Sequence, residues 1–236
     1  MTGRASYAGT LVLASALGVL AISPALAATP NESYAALATG PIASPAAGLA
    51  SFPGHTPVTL TDADIIGLLT TGSATDTANA VAASATVTQP AATLSALATL
   101  TAESVTSSCG FNTNTDNVNG AAMISGGQID LPKTTIALPA NPAPNTVIAG
   151  LGGVGTVTLN AQSSAGDGRL TVTAIQIAGL ANTGGGTQTL SLGVATCNTA
   201  HLEPVPVLPG KSAMAAISAA LALAGTALRL RRRRKT

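Results

Sequence analysis

Few side chains in this sequence combine the types and spacings that catalysis requires. The two histidines, His55 and His201, could in principle serve a zinc site or a Ser-His-Asp triad. Neither lies in a G-x-S-x-G or H-E-x-x-H motif, and His55 sits in a stretch rich in Pro and Gly. We therefore interpret both as solvated surface residues, and we expect no catalytic residue and no cofactor.

Two short runs of acids and amides resemble fragments of a calcium-binding loop. They are Asp62-Ala-Asp64 and Asn112-Thr-Asn114-Thr-Asp116. The second run is followed by Asn117 and Met123 where an EF-hand loop needs its Gly and its Glu. We interpret the asparagine run as a turn and expect no metal site.

The glycine-rich segment Gly150-Leu-Gly-Gly-Val-Gly155 superficially suggests a nucleotide-binding loop. Such a loop needs a lysine for the phosphates and a helix behind it, and the sequence here has neither pattern. A flexible turn is the better prediction for this segment.

Cys109 and Cys197 are the two cysteines of the chain. In an exported protein, a single pair most economically forms a disulfide, and no C-x-x-C spacing indicates a redox-active thiol. The bridge would close a loop of about 88 residues, worth roughly 4–5 kcal/mol in the chain-entropy model. We predict a stabilising bridge between a central strand and the last strand.

The elements that would position these residues are predicted to be strands. Apolar residues alternate with small ones in Gly155-Thr-Val-Thr-Leu159, Leu170-Thr-Val-Thr-Ala174 and Leu190-Ser-Leu-Gly-Val194. Thr, Ser and Val also favour strand over helix in the Ala-rich stretch 78–102, which Gln89-Pro90 interrupts. The fold class expected is all-β, an antiparallel β-sandwich.

The predicted strands and turns are spread along the whole central region. The strands expected are Tyr34–Gly40, Ile65–Thr71, Asn79–Val87, Leu94–Ser107, Ala121–Asp130, Thr134–Leu138, Asn145–Ile148, Val154–Ala161, Arg169–Ile177 and Gln188–Cys197. The turns or bulges expected are Asn119-Gly120, Gly126-Gly127, Asp167-Gly168 and Gly184-Gly-Gly186. Residues 28–60, rich in Pro, Gly and Ala, are expected to hold only the first of these strands.

The N-terminus has the pattern of a secretory signal peptide. Arg4 supplies the positive charge, an apolar run extends from about Leu11 to Ile22, and Pro24 follows. The small residues of the Ala25-Leu-Ala27 box suit a signal peptidase, so cleavage is predicted between Ala27 and Ala28. Residues 1–27 are therefore assigned to a signal peptide.

The C-terminus predicts a membrane-retaining sorting signal over residues 206–236. Sixteen uncharged residues, Ala213 to Leu228, precede the stop-transfer cluster of Arg229, Arg231, Arg232, Arg233, Arg234 and Lys235. The run spans about 24 Å as a helix, and flanking basic side chains extend that reach. A single transmembrane helix with a cytoplasmic basic tail is expected, and a nucleic-acid role for the arginines is disfavoured.

The segment before this helix begins like a sortase motif. Leu208, Pro209 and Gly210 fit the start of L-P-x-T-G, but Lys211 and Ser212 stand where Thr and Gly belong. Sortase attacks the Thr carbonyl, so covalent attachment to the wall is in doubt. Processing by another, sortase-like enzyme and plain membrane retention both remain open.

Between the two ends lies an acidic region, residues 28–205, that we assign to one domain. It carries nine acids against Lys133 and Arg169, a net charge of −7, whereas the whole chain is near neutral at +1. This charge disfavours nucleic acid and anionic membrane surfaces as partners. The few aromatic residues after the leader, Tyr34, Phe52 and Phe111, weaken the case for a dedicated lectin or a high-affinity receptor.

Several segments of this domain resemble the choice-of-anchor P family. They are Thr106-Ser-Ser-Cys109, the region through Asn119-Gly120, Asn145-Thr-Val-Ile148, Val157-Thr-Leu-Asn160, Gly168-Arg-Leu-Thr-Val-Thr-Ala-Ile-Gln-Ile177 and Leu192-Gly-Val-Ala-Thr-Cys197. That family comprises secreted proteins of high-GC Gram-positive bacteria whose similar bodies carry different C-terminal anchors. The resemblance covers most of residues 33–198 and implies a surface domain of unknown biochemical activity.

Two classes of function follow from these observations. The leading expectation is an extracellular protein anchored at the cell surface, with a non-catalytic structural or adhesive β-domain. The expected partners are the membrane, signal peptidase and a processing enzyme, with the surface ligand unknown. The alternative is a secreted enzyme or ligand-binding module whose site lies in loops. A pocket that gathered His55 or His201 with two acids would favour that alternative.

Overall fold

Strands account for all regular secondary structure in the described part of the chain. The computed structural model describes residues 31–198, except residues 66, 116, 150, 152–154 and 181–186. The strands are β1 (Asn31–Thr39), β2 (Ser44–Ala47), β3 (Ala50–Phe52), β4 (Val58–Thr61), β5 (Asp64–Ile65), β6 (Leu69–Thr70), β7 (Ser73–Ala78), β8 (Ala82–Thr88), β9 (Ala91–Ser95), β10 (Ala98–Thr101), β11 (Ser104–Asn112), β12 (Asn117–Ser125), β13 (Gln128–Leu131), β14 (Thr134–Ala137), β15 (Thr146–Ile148), β16 (Thr156–Ser164), β17 (Leu170–Leu180) and β18 (Gln188–Cys197). The described residues contain no helix long and apolar enough to cross a membrane.

One layer, which we call the terminal sheet, is built from both ends of the described chain. Its strand order is β15-β16-β17-β18-β1-β2, with β3 paired to the other part of β1. All neighbours are antiparallel, and the last strand pairs with the first over seven residue pairs, from Glu32 with Thr196 to Thr39 with Thr189. The two ends of the domain therefore depend on each other for their backbone hydrogen bonds.

The second layer, which we call the bent sheet, is a meander of the middle of the chain. It consists of two hydrogen-bonded groups, β12-β11-β8-β7-β4 and β14-β13-β10-β9-β6-β5. Each of the five strands of the first group is consecutive in the chain with a strand of the second group. The strands of the two groups therefore follow one another across the layer in the same order. Backbone hydrogen bonds cross the junction, from Gln89 to Glu103 (2.8 Å) and from Glu103 to Ser125 (2.9 Å). We therefore treat the two groups as one layer that bends along a line across five strands.

Left-handed backbone residues mark this bend on alternate strands. Asp62, Gln89 and Gly126 have φ angles of 58°, 47° and 58°. The facing terminal sheet has the same feature at Asn160 and Gly193, with φ of 48° and 57°. At Gly193, the buried positions of β18 change from even-numbered to odd-numbered residues. One irregular residue at this point reverses which side chains face the core. In both layers, left-handed residues therefore interrupt the regular strand geometry on more than one strand.

The core divides into two regions of different composition. The first, the leucine half, packs strands β6, β9, β10 and β13 against the terminal sheet, and 17 of its 24 buried members are Leu, Ile or Val. The second, the disulfide half, lies between β7, β8 and β11 and the other part of the terminal sheet. Its ten buried members comprise two small clusters, and seven of the ten are Ala or Cys.

The expected all-β class is confirmed, and the described residues form an antiparallel, sandwich-like arrangement of two layers. The Ala-rich stretch 78–102 is extended, with β8, β9 and β10 inside it. Gly126 and Gly168 adopt positive φ angles of 58° and 83°, which confirms the bulge and the turn predicted there. Gly184-Gly-Gly186 lies outside the described residues.

Several local predictions were wrong, among them the bounds of the strands expected over Ile65–Thr71 and Ala121–Asp130, each of which is divided between two strands. Asn119 and Gly120 form no turn but pair in register with β11 inside β12. A Cβ on Gly120 would overlap the side chain of Val172, so this glycine allows the two layers to approach closely. The continuous strand expected over Leu94–Ser107 is divided among β9, β10 and β11, and residues 28–60 contain β2, β3 and β4 in addition to β1. Short edge strands of this kind have too few residues for a clear alternation.

Candidate functional site

A disulfide joins the two layers of the sandwich. Cys109 lies in β11 of the bent sheet and Cys197 ends β18 of the terminal sheet, with their Cα atoms 5.8 Å apart. Both side chains are buried among Ala78, Ala83 and Ala195. The predicted pairing is therefore confirmed, and the bridge closes a sequence separation of 88 residues within the half of the core that has the smallest side chains.

The predicted processing and anchoring residues lie outside the described residues. They are Ala27 and Ala28 at the cleavage site, Leu208, Pro209 and Gly210 of the sorting motif, and Arg229, Arg231, Arg232, Arg233, Arg234 and Lys235 of the basic cluster. His201 also lies outside, and His55 occupies the exposed turn between β3 and β4. These assignments stay predictions.

The asparagine run forms a turn, as predicted. The Asn112 side chain accepts a hydrogen bond from the backbone N–H of Asn114 at 2.9 Å, the geometry of an Asx turn. Asp62 lies at the bend of the sheet and Asp64 in β5. Within the described residues, no group of three or more His, Cys, Asp or Glu side chains is placed to hold a metal ion.

A polar groove with a volume of about 320 Å³ lies on the outer face of the terminal sheet. Its floor is a row of residues paired in register across β1, β18, β17 and β16. The row consists of Glu32, Thr196, Thr171 and Ser163. Four strands at a spacing of about 4.8 Å make the row roughly 14 Å long. Tyr34 lines the groove beside Glu32, and Ser164, Ala165 and Arg169 complete the opposite wall.

The turn between β16 and β17 positions Arg169. The backbone N–H of Ala165 donates to the Arg169 carbonyl at 2.9 Å, and the N–H of Gly168 donates to the Ala165 carbonyl at 3.0 Å. Asp167 accepts a hydrogen bond from the Arg169 backbone N–H at 3.2 Å and forms an ion pair with its Nε at 2.9 Å. The guanidinium is thereby held at the wall with part of its charge neutralised.

The wall of the groove opposite Arg169 is formed by Glu32 and Tyr34, so it is acidic and aromatic. Burial, and secondarily the negative charge of Glu32, raises the pKa of Tyr34, so its phenol is neutral at ordinary pH. Between the walls, the hydroxyl groups of Thr171 and Thr196 are 3.1 Å apart and hydrogen-bond each other. The groove thus presents a carboxylate, a phenol and a guanidinium around a floor of hydroxyl groups.

A second unusual group, Asp76, is buried inside the disulfide half. It lies in β7 at the same parity as Ala74 and Ala78, so its side chain points between the layers. Its exposed fraction is 0%, and neither carboxylate oxygen has a hydrogen-bond partner. A Cβ on Gly48 would overlap Oδ2 of Asp76, and Gly48 has a φ of 72°, so glycine is required there on two grounds.

Burial raises the pKa of Asp76 to about 7, and the nearby backbone amide of Ala35 lowers it only in part. That amide is close enough to influence the carboxylate but does not meet hydrogen-bond geometry. Asp76 pairs in register with the buried Ala85, and the small buried cluster in this part of the core, Ala35, Ala74 and Val87 with Leu60 packed against it, is apolar. A charged Asp76 is therefore costly here, and the protonated form is the one that suits the folded state.

Neither the groove nor Asp76 was anticipated from the sequence. The parity of Asp76 with Ala74 and Ala78 is a usable signal for its burial. Arg169 could have been noticed as one of two cations between residues 28 and 205. The groove itself left no local signal, because its floor combines residues from four strands that lie far apart in the sequence.

Comparison with known proteins gave no match: no family model, no curated protein and no solved structure is significantly similar to this chain.

Proposed function

We propose that this chain is an exported bacterial surface protein whose non-catalytic structural or adhesive β-domain is displayed by a C-terminal anchor. The observation that carries the proposal is the disulfide between Cys109 and Cys197, which joins the two layers. Structural disulfides persist in oxidising compartments, outside the cytoplasm. An exported domain whose disulfide half contains mostly small side chains gains from such a bridge.

The two ends of the domain are consistent with display. Asn31 opens β1, and its side chain accepts a hydrogen bond from the backbone N–H of Asn198 at 2.9 Å. Residues 31 and 198, where the described part of the chain begins and ends, therefore lie side by side. A signal peptide over residues 1–27 and a sorting signal over 206–236, with one transmembrane helix, would place the domain outside the membrane.

The resemblance to the choice-of-anchor P family agrees with this role, and we propose that the chain is a member of that family. It implies a shared surface domain and an anchor that varies. The alternative function, a secreted ligand-binding module, gains one specific observation in the polar groove of the terminal sheet. If the β-domain adheres through that groove, the adhesive function and the ligand-binding function are the same.

The anchor is tested by deleting Lys211–Thr236, which removes the apolar run and the basic cluster. We expect the shortened protein to appear in the medium, still disulfide-bonded, while the full chain stays with the membrane or wall fraction. Replacing Arg231, Arg232, Arg233 and Arg234 by Ser is the matched, milder change, and part of the protein should escape. Retention of the shortened protein on cells would refute the anchor and point to the β-domain as the cell-binding part.

The mature N-terminus provides a separate measurement. Sequencing of the exported protein should begin at Ala28. An N-terminus at Met1 or Thr2 would show that the leader is retained, contrary to the proposal.

A further inference from the structure

The polar groove of the terminal sheet has the composition of a binding site for hydroxyl-rich molecules. A carboxylate such as Glu32 accepts hydrogen bonds, a guanidinium such as Arg169 donates them, and the Ser and Thr hydroxyls do both. Sugar hydroxyl groups also donate and accept, so each can be paired with this set. The ring of Tyr34 supplies the apolar surface against which the C–H face of a sugar packs.

The charges of the groove select among such molecules. Glu32 and Asp167 outweigh Arg169, and Asp167 already pairs with that guanidinium. The domain around the groove is acidic as well, with a net charge of −7 over residues 28–205. A polyanion would be repelled, whereas a neutral ligand would not be.

A peptide fits this surface less well than a saccharide. At the floor of the groove, β17, β18 and β1 are each paired on both sides, so none of these three strands offers a free edge for an added strand. Among the residues that line the groove, Ala165 is the one small aliphatic side chain, which offers no pocket for a peptide's apolar anchor.

We propose that this groove binds a neutral oligosaccharide of two or three sugar units. Its length of roughly 14 Å, from four strands at about 4.8 Å spacing, suits a ligand of that size. The groove lies beside both ends of the described chain, because Glu32 and Thr196 are next to the ends of β1 and β18. If the proposed C-terminal anchor is correct, the groove opens near the cell envelope, and envelope glycan is the ligand within reach.

The fluorescence of Tyr34 can be used to measure this interaction. The chain has no Trp and two Tyr, Tyr7 and Tyr34, so cleavage of the leader leaves Tyr34 as the sole source of tyrosine emission. The full chain with its leader removed, purified in a detergent that has no sugar headgroup, can be titrated with cellotriose, maltotriose and tri-N-acetylchitotriose. We expect a saturable change in emission with at least one of them, at micromolar to millimolar concentrations.

Variants on the two walls make the test specific. Arg169→Ala and Glu32→Gln should each weaken binding by at least about tenfold, since each removes a charge-assisted hydrogen bond. Lys133→Ala removes the other cation of the domain, an exposed residue in the turn between β13 and β14, and should leave the affinity within about twofold. Unchanged melting temperatures show that the variants are folded.

Three outcomes would overturn the proposal. These are no saturable change with any of the three sugars up to about 10 mM, a change that Arg169→Ala and Glu32→Gln leave unaltered, or binding of tetralysine but of no sugar. Calorimetry with Tyr34→Phe adds a second readout, in which binding should survive with a smaller loss. Because cell fractionation measures anchoring independently, loss of the anchor and loss of sugar binding are distinguishable results.

Discussion

The two halves of the core reach stability by different means. In the leucine half, large aliphatic side chains such as Leu190 and Ile177 are fully buried. In the disulfide half, Ala and Cys predominate, the layers approach closely at Gly120, and a buried carboxylate lies between them. Small side chains bury little apolar area, so the disulfide half has less hydrophobic stabilisation to offset the cost of Asp76. The covalent bridge lies where the apolar contribution is weakest.

The largest effect is expected from removing the bridge. Cys109→Ala combined with Cys197→Ala should lower the free energy of unfolding by roughly 4–5 kcal/mol, because an 88-residue loop is released in the unfolded chain. Urea denaturation of both proteins under non-reducing conditions measures the difference. A loss below about 1 kcal/mol would mean that the disulfide half is stable without the bridge.

The pH dependence of stability tests the burial of Asp76. Burial raises the pKa of Asp76 in the folded state from the ordinary aspartate value of 3.8 to about 7, so between those values the folded state keeps a proton that the unfolded state has lost. The free energy of unfolding should therefore fall as pH rises from about 4 to 7, by roughly 4 kcal/mol in total, and should level off above pH 7.

Asp76→Asn is the matched variant for this measurement. It should remove that slope and make the protein more stable than the parent at pH 8, because a neutral amide avoids the cost of a buried charge. Urea titrations at pH 4, 5.5, 7 and 8 compare the two proteins. Parallel profiles for parent and variant would show that Asp76 is not the titrating group.

Truncation of one residue in each half compares their packing directly, on the same strand. Leu190→Ala should cost about 3 kcal/mol, because a buried leucine leaves a cavity in the leucine half. Ala195→Gly, in the disulfide half, should cost only about 1 kcal/mol, mostly through backbone entropy. Equal losses in thermal or urea unfolding would contradict the division of the core into a strongly and a weakly apolar half.

The smallest change in stability is expected at the bend between the two strand groups of the bent sheet. Gln89 adopts a left-handed φ of 47°, which disfavours side chains with a Cβ. Gln89→Gly should therefore raise stability by about 0.5–1 kcal/mol, whereas Gln128→Gly, in the regular strand β13, should lower it by a similar amount. If both substitutions destabilise equally, the bend does not depend on a left-handed residue at position 89.

Local patterns in the sequence determined the strands and the disulfide. Alternation with a period of two is a property of consecutive residues, so the strands predicted over Arg169–Ile177 and Gln188–Cys197 were recognisable without any partner strand, and they correspond to β17 and β18. Two cysteines allow one intramolecular pairing, which made Cys109–Cys197 predictable. Short strands such as Asp64–Ile65 were too brief to show a period, and Gly120 was read as a turn because a turn and a close approach both favour glycine.

Only the tertiary structure decided which residues face each other across strands and layers. The order of strands, the bend and the register are set by contacts between segments far apart in the chain. Glu32, Thr171 and Thr196 meet in the groove because β1, β18 and β17 are neighbours, a fact that no single segment records. The parity of Asp76 with Ala74 and Ala78 indicates an inward-facing side chain, but its pKa is raised because the folded chain buries it. Local alternation therefore specified the strands, and the packing of distant strands created both sites.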